Sequence, residues 1–148
     1  MIRLAKTRFG DIEVDDSRAV TFPRGLIGFP NARKFVLLEP RGRAQVAWLQ
    51  CLDVPELAFP VVDGANFGEA YPRPAARDLA EAAGLGASDL ALLVIVAPTG
   101  PNKSLVANML APLIVDLESR TAAQVVLDHR EFSASAPLTA SPGPPPAR

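Results

Sequence analysis

One cysteine, one histidine, one tyrosine and one tryptophan in 148 residues leave this chain short of the side chains on which most site chemistry depends. Cys51 alone rules out an internal disulfide and a cysteine-based zinc site, and its setting between Gln50 and Leu52 reads as a buried, inert thiol. His129 alone supports neither a histidine metal cluster nor a Ser-His-Asp triad, and beside Asp128 and Glu131 it reads as a surface residue at a strand end. No apolar run reaches the roughly 18 residues of a membrane span. The longest, Leu90 to Pro98, is strand-sized. The opening MIRLAKTRFGDIEVDD is charged every few residues and lacks the apolar stretch of a signal peptide, so a cytoplasmic location is expected.

Nucleotide chemistry is equally thin. Thr99 to Ser104 ends like a phosphate loop, but it lacks the first glycine and the glycine before Lys103, and Pro101 removes a backbone donor. Arg73 and Arg77 form half of an R-x-x-x-R cyclic-dinucleotide signature, without the D-x-S-x-x-G that completes it. Trp48 and the phenylalanines are not interleaved with basic residues, so no stacking platform for oligonucleotides is indicated. Asp53 and Glu56 flank Pro55 and read as solvated acids of a turn rather than a catalytic pair. No residue reads as catalytic, metal-binding or cofactor-binding.

What the chain does have is alternation. Ala107 to Asp128, ANMLAPLIVDLESRTAAQVVLD, reads as two strands, with Leu113, Val115 and Leu117 on one face of the first and Val125 and Leu127 on one face of the second. Glu118 to Thr121 is a hairpin loop of suitable length, and Pro112 belongs at a strand start or an edge. The hairpin reads either as core scaffolding or, through Asn108, Met109 and Leu110 ahead of Pro112, as a partner-facing edge. Further strands are expected at Ile2 to Phe9 and Ile12 to Val14, joined by a Gly10-Asp11 turn. Others follow at Ala19 to Phe22, Phe35 to Glu39, Val46 to Leu52, Leu57 to Val62, Leu90 to Ala97 and Ser104 to Asn108. Leu90 to Ala97 is apolar on both faces and should be central. FPRGLIGFP, Phe22 to Pro30, frames Leu26, Ile27 and Phe29 with two glycines and two prolines, which predicts an ordered loop folding apolar side chains back onto the body. The one helix falls on Ala75 to Ala83, after Pro72 and Pro74 and before Gly84.

The expected fold is therefore mainly β: one antiparallel β-barrel-like domain over residues 1–132 with a short connecting helix. The last sixteen residues hold five prolines and only Leu138 as a large apolar side chain, and read as a disordered Pro-rich tail, 133–148. Net charge is −1 but uneven, about +4 from Met1 to Gln50 and −6 from Cys51 to Asp128. An acidic half suits a basic protein partner better than phosphates.

The order FPRGLIGFP, Phe35-Val36-Leu37-Leu38, Trp48-Leu49-Gln50-Cys51, Leu57-Ala58-Phe59-Pro60-Val61 and NMLAPLIVDLESRTAAQVVLD resembles the FliW family of bacterial flagellar assembly factors. GLIGF and the N-x-x-A-P…Q-V-V-L block are its most specific pieces. Asp116 stands where the family usually has Asn, Cys51 where Ser is common and Phe132 where Tyr is common. The resemblance implies a non-enzymatic adaptor that binds flagellin and antagonises the translational repressor CsrA, a basic RNA-binding dimer, so that flagellin level feeds back on its own translation. Whichever partner is in excess would set the other's free concentration. It implies no cofactor, no direct nucleic-acid contact and no membrane partner. Acidity and edge-strand chemistry place the expected contacts at Asp53, Glu56, Glu69, Tyr71, Asn108, Met109 and Leu110. Two other readings compete, a small nucleotide- or RNA-binding β-barrel and a barrel enzyme using Asp53 or Glu56 as base; charge balance disfavours the first and missing partner groups the second.

Overall fold

The computed structural model describes residues 1–39, 46–65, 67, 71, 73–85, 89–99, 104–127 and 136–137. Chain order runs β1 (Ile2–Thr7), β2 (Gly10–Val14), a 3₁₀ turn (Asp16–Arg18), β3 (Val20–Thr21), β4 (Lys34–Leu38), β5 (Ala47–Cys51) and β6 (Ala58–Asp63). It continues with α1 (Arg73–Ala82), β7 (Leu90–Thr99), β8 (Ser104–Ala107), β9 (Leu113–Asp116), β10 (Thr121–Gln124) and β11 (Ala136–Pro137). Strands β7, β6, β5, β4, β3, β10 and β9 neighbour one another in that order, and a second pairing of β7 with β9 closes them into a seven-stranded barrel. Closure removes the free edges that an open sheet of this size would expose. One junction departs from the antiparallel expectation: β3 and β10 run parallel at Thr21 and Thr121. They lie far apart in sequence, so no hairpin imposes their direction.

The double-sided apolarity of β7 has a direct cause. Its first half pairs with β9, Leu90 to Leu93 against Asp116 to Leu113, and its second half with β8, Val96 to Thr99 against Ala107 to Ser104. Ala91, Leu93 and Ile95 face the barrel interior with Phe22, Phe35, Leu49 and Leu113. Leu92, Val94 and Val96 face outward and are buried with Tyr71, Ala80, Leu85, Ile114 and Leu127, the layer in which α1 takes part. A third, smaller cluster sets Leu4 and Val14 of the β1–β2 hairpin against Val36 of β4.

Helix α1 stops where its sequence says it should. Gly84 adopts φ +90°, its N–H reaches the Glu81 carbonyl at 3.0 Å and the Leu85 N–H reaches the Ala80 carbonyl at 2.9 Å. This is a Schellman ending, with Leu85 and Ala80 supplying its apolar contact in one cluster.

Two expectations are corrected. The first hairpin turns at Arg8-Phe9, closed by the pair Thr7 and Gly10, and Gly10-Asp11 begins β2. Thr7 Oγ1 accepts from the Phe9 N–H and donates to the Gly10 carbonyl, while the Phe9 ring meets Trp48 edge-on at 5.3 Å and the Arg8 guanidinium lies 4.3 Å above Trp48. Packing the turn on Trp48 outweighs the local Gly-Asp preference. The tail is not wholly without structure, because Ala136 and Pro137 pair with Ala107 and Val106 on the outer edge of β8. That edge is left open by the barrel's closure, and Pro137, which has no N–H, is tolerated on an edge strand. Residues 128–135 and 138–148, with His129, lie outside the described residues, as do Pro101, Asn102 and Lys103.

Candidate partner-binding surface

Register places three connections at one end of the barrel. β3 ends and β4 begins at the pair Thr21 and Lys34, β5 ends at Cys51 opposite Phe35, and β9 begins at Leu113 opposite Gln124. The loops 22–33, 52–57 and 108–112 therefore meet there. Loop 22–33 is the plug that its glycines and prolines suggest: Phe22, Leu26 and Ala32 are buried in the barrel core. A Cβ on Gly25, at φ +69°, would lie 2.6 Å from the carbonyl oxygens of both Phe29 and Pro30. Only glycine fits this turn.

The same loop does not fold every apolar side chain inward. Ile27 is 62% exposed and Phe29 42%, joined on this end by Val54 at 38% and Val126 at 54%. Phe29 is braced edge-on against Phe59 at 5.4 Å. These four residues are the part of the surface that sequence reading missed. The sequence held no signal for this, because Leu26 and Ile27 are chemically alike and only the path of the loop turns one in and the other out.

Gln124 binds the two most family-specific blocks together. Its Oε1 accepts from the Ile27 N–H at 2.8 Å and its Nε2 donates to the Ala111 carbonyl at 3.1 Å. Asn108 Oδ1 accepts from the Ala111 N–H at 3.1 Å, and the Asn108 N–H donates to the Ile95 carbonyl at 2.8 Å. The Tyr71 hydroxyl donates to the Met109 carbonyl at 2.8 Å, and the Leu127 N–H to the Leu110 carbonyl at 2.8 Å. The edge expected at Asn108 to Leu110 thus has the Asn108 N–H and the Met109 and Leu110 carbonyls already engaged, and a strand added through those groups would first have to break these bonds. Asn108, Met109 and Leu110 are half-buried and Tyr71 is buried. Burial also pushes the Tyr71 phenol well above its ordinary value, so it remains a donor.

Asp53 is also committed. One carboxylate oxygen accepts from the backbone N–H groups of Arg33 and Lys34, each at 2.9 Å, tying loop 52–57 to the start of β4. Buried Gln50 directs its Nε2 to the carbonyls of Cys51, Pro55 and Leu57, and Cys51 Sγ accepts from the Val54 N–H at 3.3 Å. A serine hydroxyl could accept the same bond, so cysteine here leaves the loop's logic intact. Burial pushes the Cys51 thiol up, in keeping with an inert role. Glu56 is exposed, and Glu69 lies outside the described residues. With Arg24, Arg33 and Lys34 also exposed on this end, its charge is mixed rather than acidic. No group of three or more His, Cys, Asp or Glu able to hold a metal ion occurs among the described residues.

The comparisons agree with this architecture. Residues 3–138 match the family described as FliW protein. The flagellar assembly factor FliW of Bdellovibrio bacteriovorus is 35% identical over 137 residues, 91% of this chain and 78% of that protein. Its namesake in Syntrophotalea carbinolica is 34% identical over 95% of this chain and all of that one. A crystal structure of the flagellar assembly factor FliW superposes with a TM-score of 0.76 at 27% identity, covering 92% of this chain and 96% of that one. By the extent of these matches, the chain belongs to the FliW family of flagellar assembly factors.

Proposed function

We propose that this flagellar assembly factor is a non-enzymatic cytoplasmic adaptor that binds flagellin and the repressor CsrA, using the loop-capped barrel end for at least one of them. The observation that carries the reading is the exposure of Ile27, Phe29, Val54 and Val126 together on that end. Apolar side chains held out on rigid, hydrogen-bonded loops supply the buried anchors of an interface at small ordering cost. The exposed acid Glu56, together with Glu69, which lies outside the described residues, tunes encounter rate and salt dependence instead. No described helix is long and apolar enough to cross a membrane.

Surface plasmon resonance against flagellin and CsrA separates these contributions. Replacing Ile27 and Phe29 by serine should weaken one partner at least tenfold through a faster off-rate, because truncated anchors cost about 2 kcal/mol or more. Reversing Glu56 and Glu69 to lysine should slow association with CsrA and flatten its salt dependence, with the off-rate little changed. Replacing Met109 and Leu110 by alanine should lower the melting temperature, since both are half-buried. If folded Ile27/Phe29 variants bind both partners as the parent does, the placement of the surface is wrong.

A further inference from the structure

The barrel end opposite these loops is not filled. Small barrels usually pack their interiors with side chains. Here Phe22, Leu26 and Phe35 occupy the plugged half, whereas the smaller Val20, Ala91 and Val115 line the half near the β9–β10 turn. They leave a pocket of about 190 Å³ walled by Val20, Leu37, Leu49, Ala91, Leu93 and Val115, with Arg18, Glu39 and Arg120 as its charged lining.

Arg120 is set there by the fold. It ends the turn in the left-handed region at φ +60°, its N–H bonded to the Asp116 carbonyl at 2.8 Å and its carbonyl accepting from the Thr21 N–H at 2.9 Å. A terminal guanidinium nitrogen donates to the Arg18 carbonyl. Its Nε is withdrawn from solvent and has no hydrogen-bond partner. The ion pairs among the described residues are Met1 with Asp16 and Arg3 with Asp11, so neither Arg18 nor Arg120 forms a close ion pair with a described carboxylate, although, behind the Ser17 hydrogen bonds, the Arg18 charge helps to hold the Asp15 carboxyl below its ordinary value. Arg120 is a half-buried side chain whose guanidinium keeps its charge at the mouth, and an ionised oxygen is the acceptor that a guanidinium binds most strongly.

We propose that this mouth binds a small monocarboxylate, its apolar body entering the barrel and its carboxylate meeting Arg120 and Arg18. The wall chemistry fits: an apolar concavity with a few converging polar groups is the usual form of a small-molecule site. The size sets the ligand class, since an apolar cavity of about 150 Å³ takes up benzene. This pocket is only slightly larger. Glu39 leaves the lining one positive charge in excess, which matches a mono-anion and disfavours a diacid.

Hexanoate is the probe, with hexan-1-ol and hexylamine as controls, titrated into the full chain and followed by methyl NMR shifts. Hexanoate should perturb Val20, Leu37, Leu49, Leu93 and Val115, with hexan-1-ol at least tenfold weaker and hexylamine inert. Arg120→Gln should weaken hexanoate at least tenfold and bring it level with the alcohol, while Ala91→Leu, which fills the mouth, should abolish both. Mapping on the parent chain decides the matter even if a variant fails to fold. Absence of hexanoate shifts at the mouth, or equal binding of acid and alcohol to the parent, overturns the proposal.

Discussion

Asp53 and Tyr71 show how one side chain holds a loop in place. Asp53 closes loop 52–57 onto β4 through two backbone N–H groups, so Asp53→Ala should cost about 1–2 kcal/mol in urea unfolding, and Asp53→Asn, which keeps an acceptor, clearly less. Glu56→Ala, lacking such bonds, should be neutral within about 0.5 kcal/mol. Tyr71→Phe removes the bond to Met109 and should cost about 1 kcal/mol at neutral pH. Its pH signature is specific. Burial raises the folded phenol above its unfolded value of about 10, so the folded state keeps a proton that the unfolded state loses. That contribution is complete below the unfolded value and declines as pH climbs toward the folded one. Melting curves from pH 8 upward should fall more steeply above about pH 10 for the parent than for Tyr71→Phe.

Loop 22–33 and the β9–β10 hairpin owe their shapes to local backbone demands. Gly25 and Gly28 both have positive φ, but an added Cβ meets two carbonyl oxygens at Gly25 and nothing within 4 Å at Gly28. Gly28→Ala should cost about 1–2 kcal/mol for its backbone alone, and Gly25→Ala about 2 kcal/mol more, read from denaturation midpoints. The hairpin was legible from its alternation, yet its turn spans Leu117 to Arg120, one residue earlier than expected, and Thr121 already pairs with Asp116. Asp116 accounts for the shift: its Oδ1 accepts from the Glu118 N–H at 3.0 Å and the Ser119 N–H at 3.4 Å, a local bond that no hydrophobic period reports. An asparagine Oδ1 could accept both bonds, so the departure at this position leaves the turn unchanged.

At the scale of the whole molecule, Ala136 and Pro137 extend the sheet at the edge of β8. Truncation after Phe132 removes β11 and should cost about 1 kcal/mol, a fall of roughly 2–4 °C, while truncation after Leu138 should leave the melting temperature unchanged. A fall of ten degrees after the second cut would show that residues beyond 138 dock on the barrel. The closed barrel also explains why so short a helix suffices. With closure removing the edges of the barrel strands themselves, α1 helps to cover the outer face of β7 and its neighbours.

Local chemistry sufficed for the strand periods, the helix stop at Gly84, the burial of Cys51 and the glycine turn at Gly25, because each is decided by neighbours within a few residues. The family was legible too, from motif order. Tertiary structure alone decided which apolar side chains remain outside, since Leu26 and Ile27 are chemically alike and only the path of the loop separates them. It also decided that Asn108 to Leu110 is a tied connection, through the bonds of Tyr71 to Met109, Leu127 to Leu110 and Asn108 to Ile95. The closure of β7 on β9, the parallel contact of β3 with β10 and the unfilled mouth beside Arg120 likewise join residues distant in the chain. Periodicity records which face of a strand is apolar; it carries no record of which strand, loop or void that face will meet.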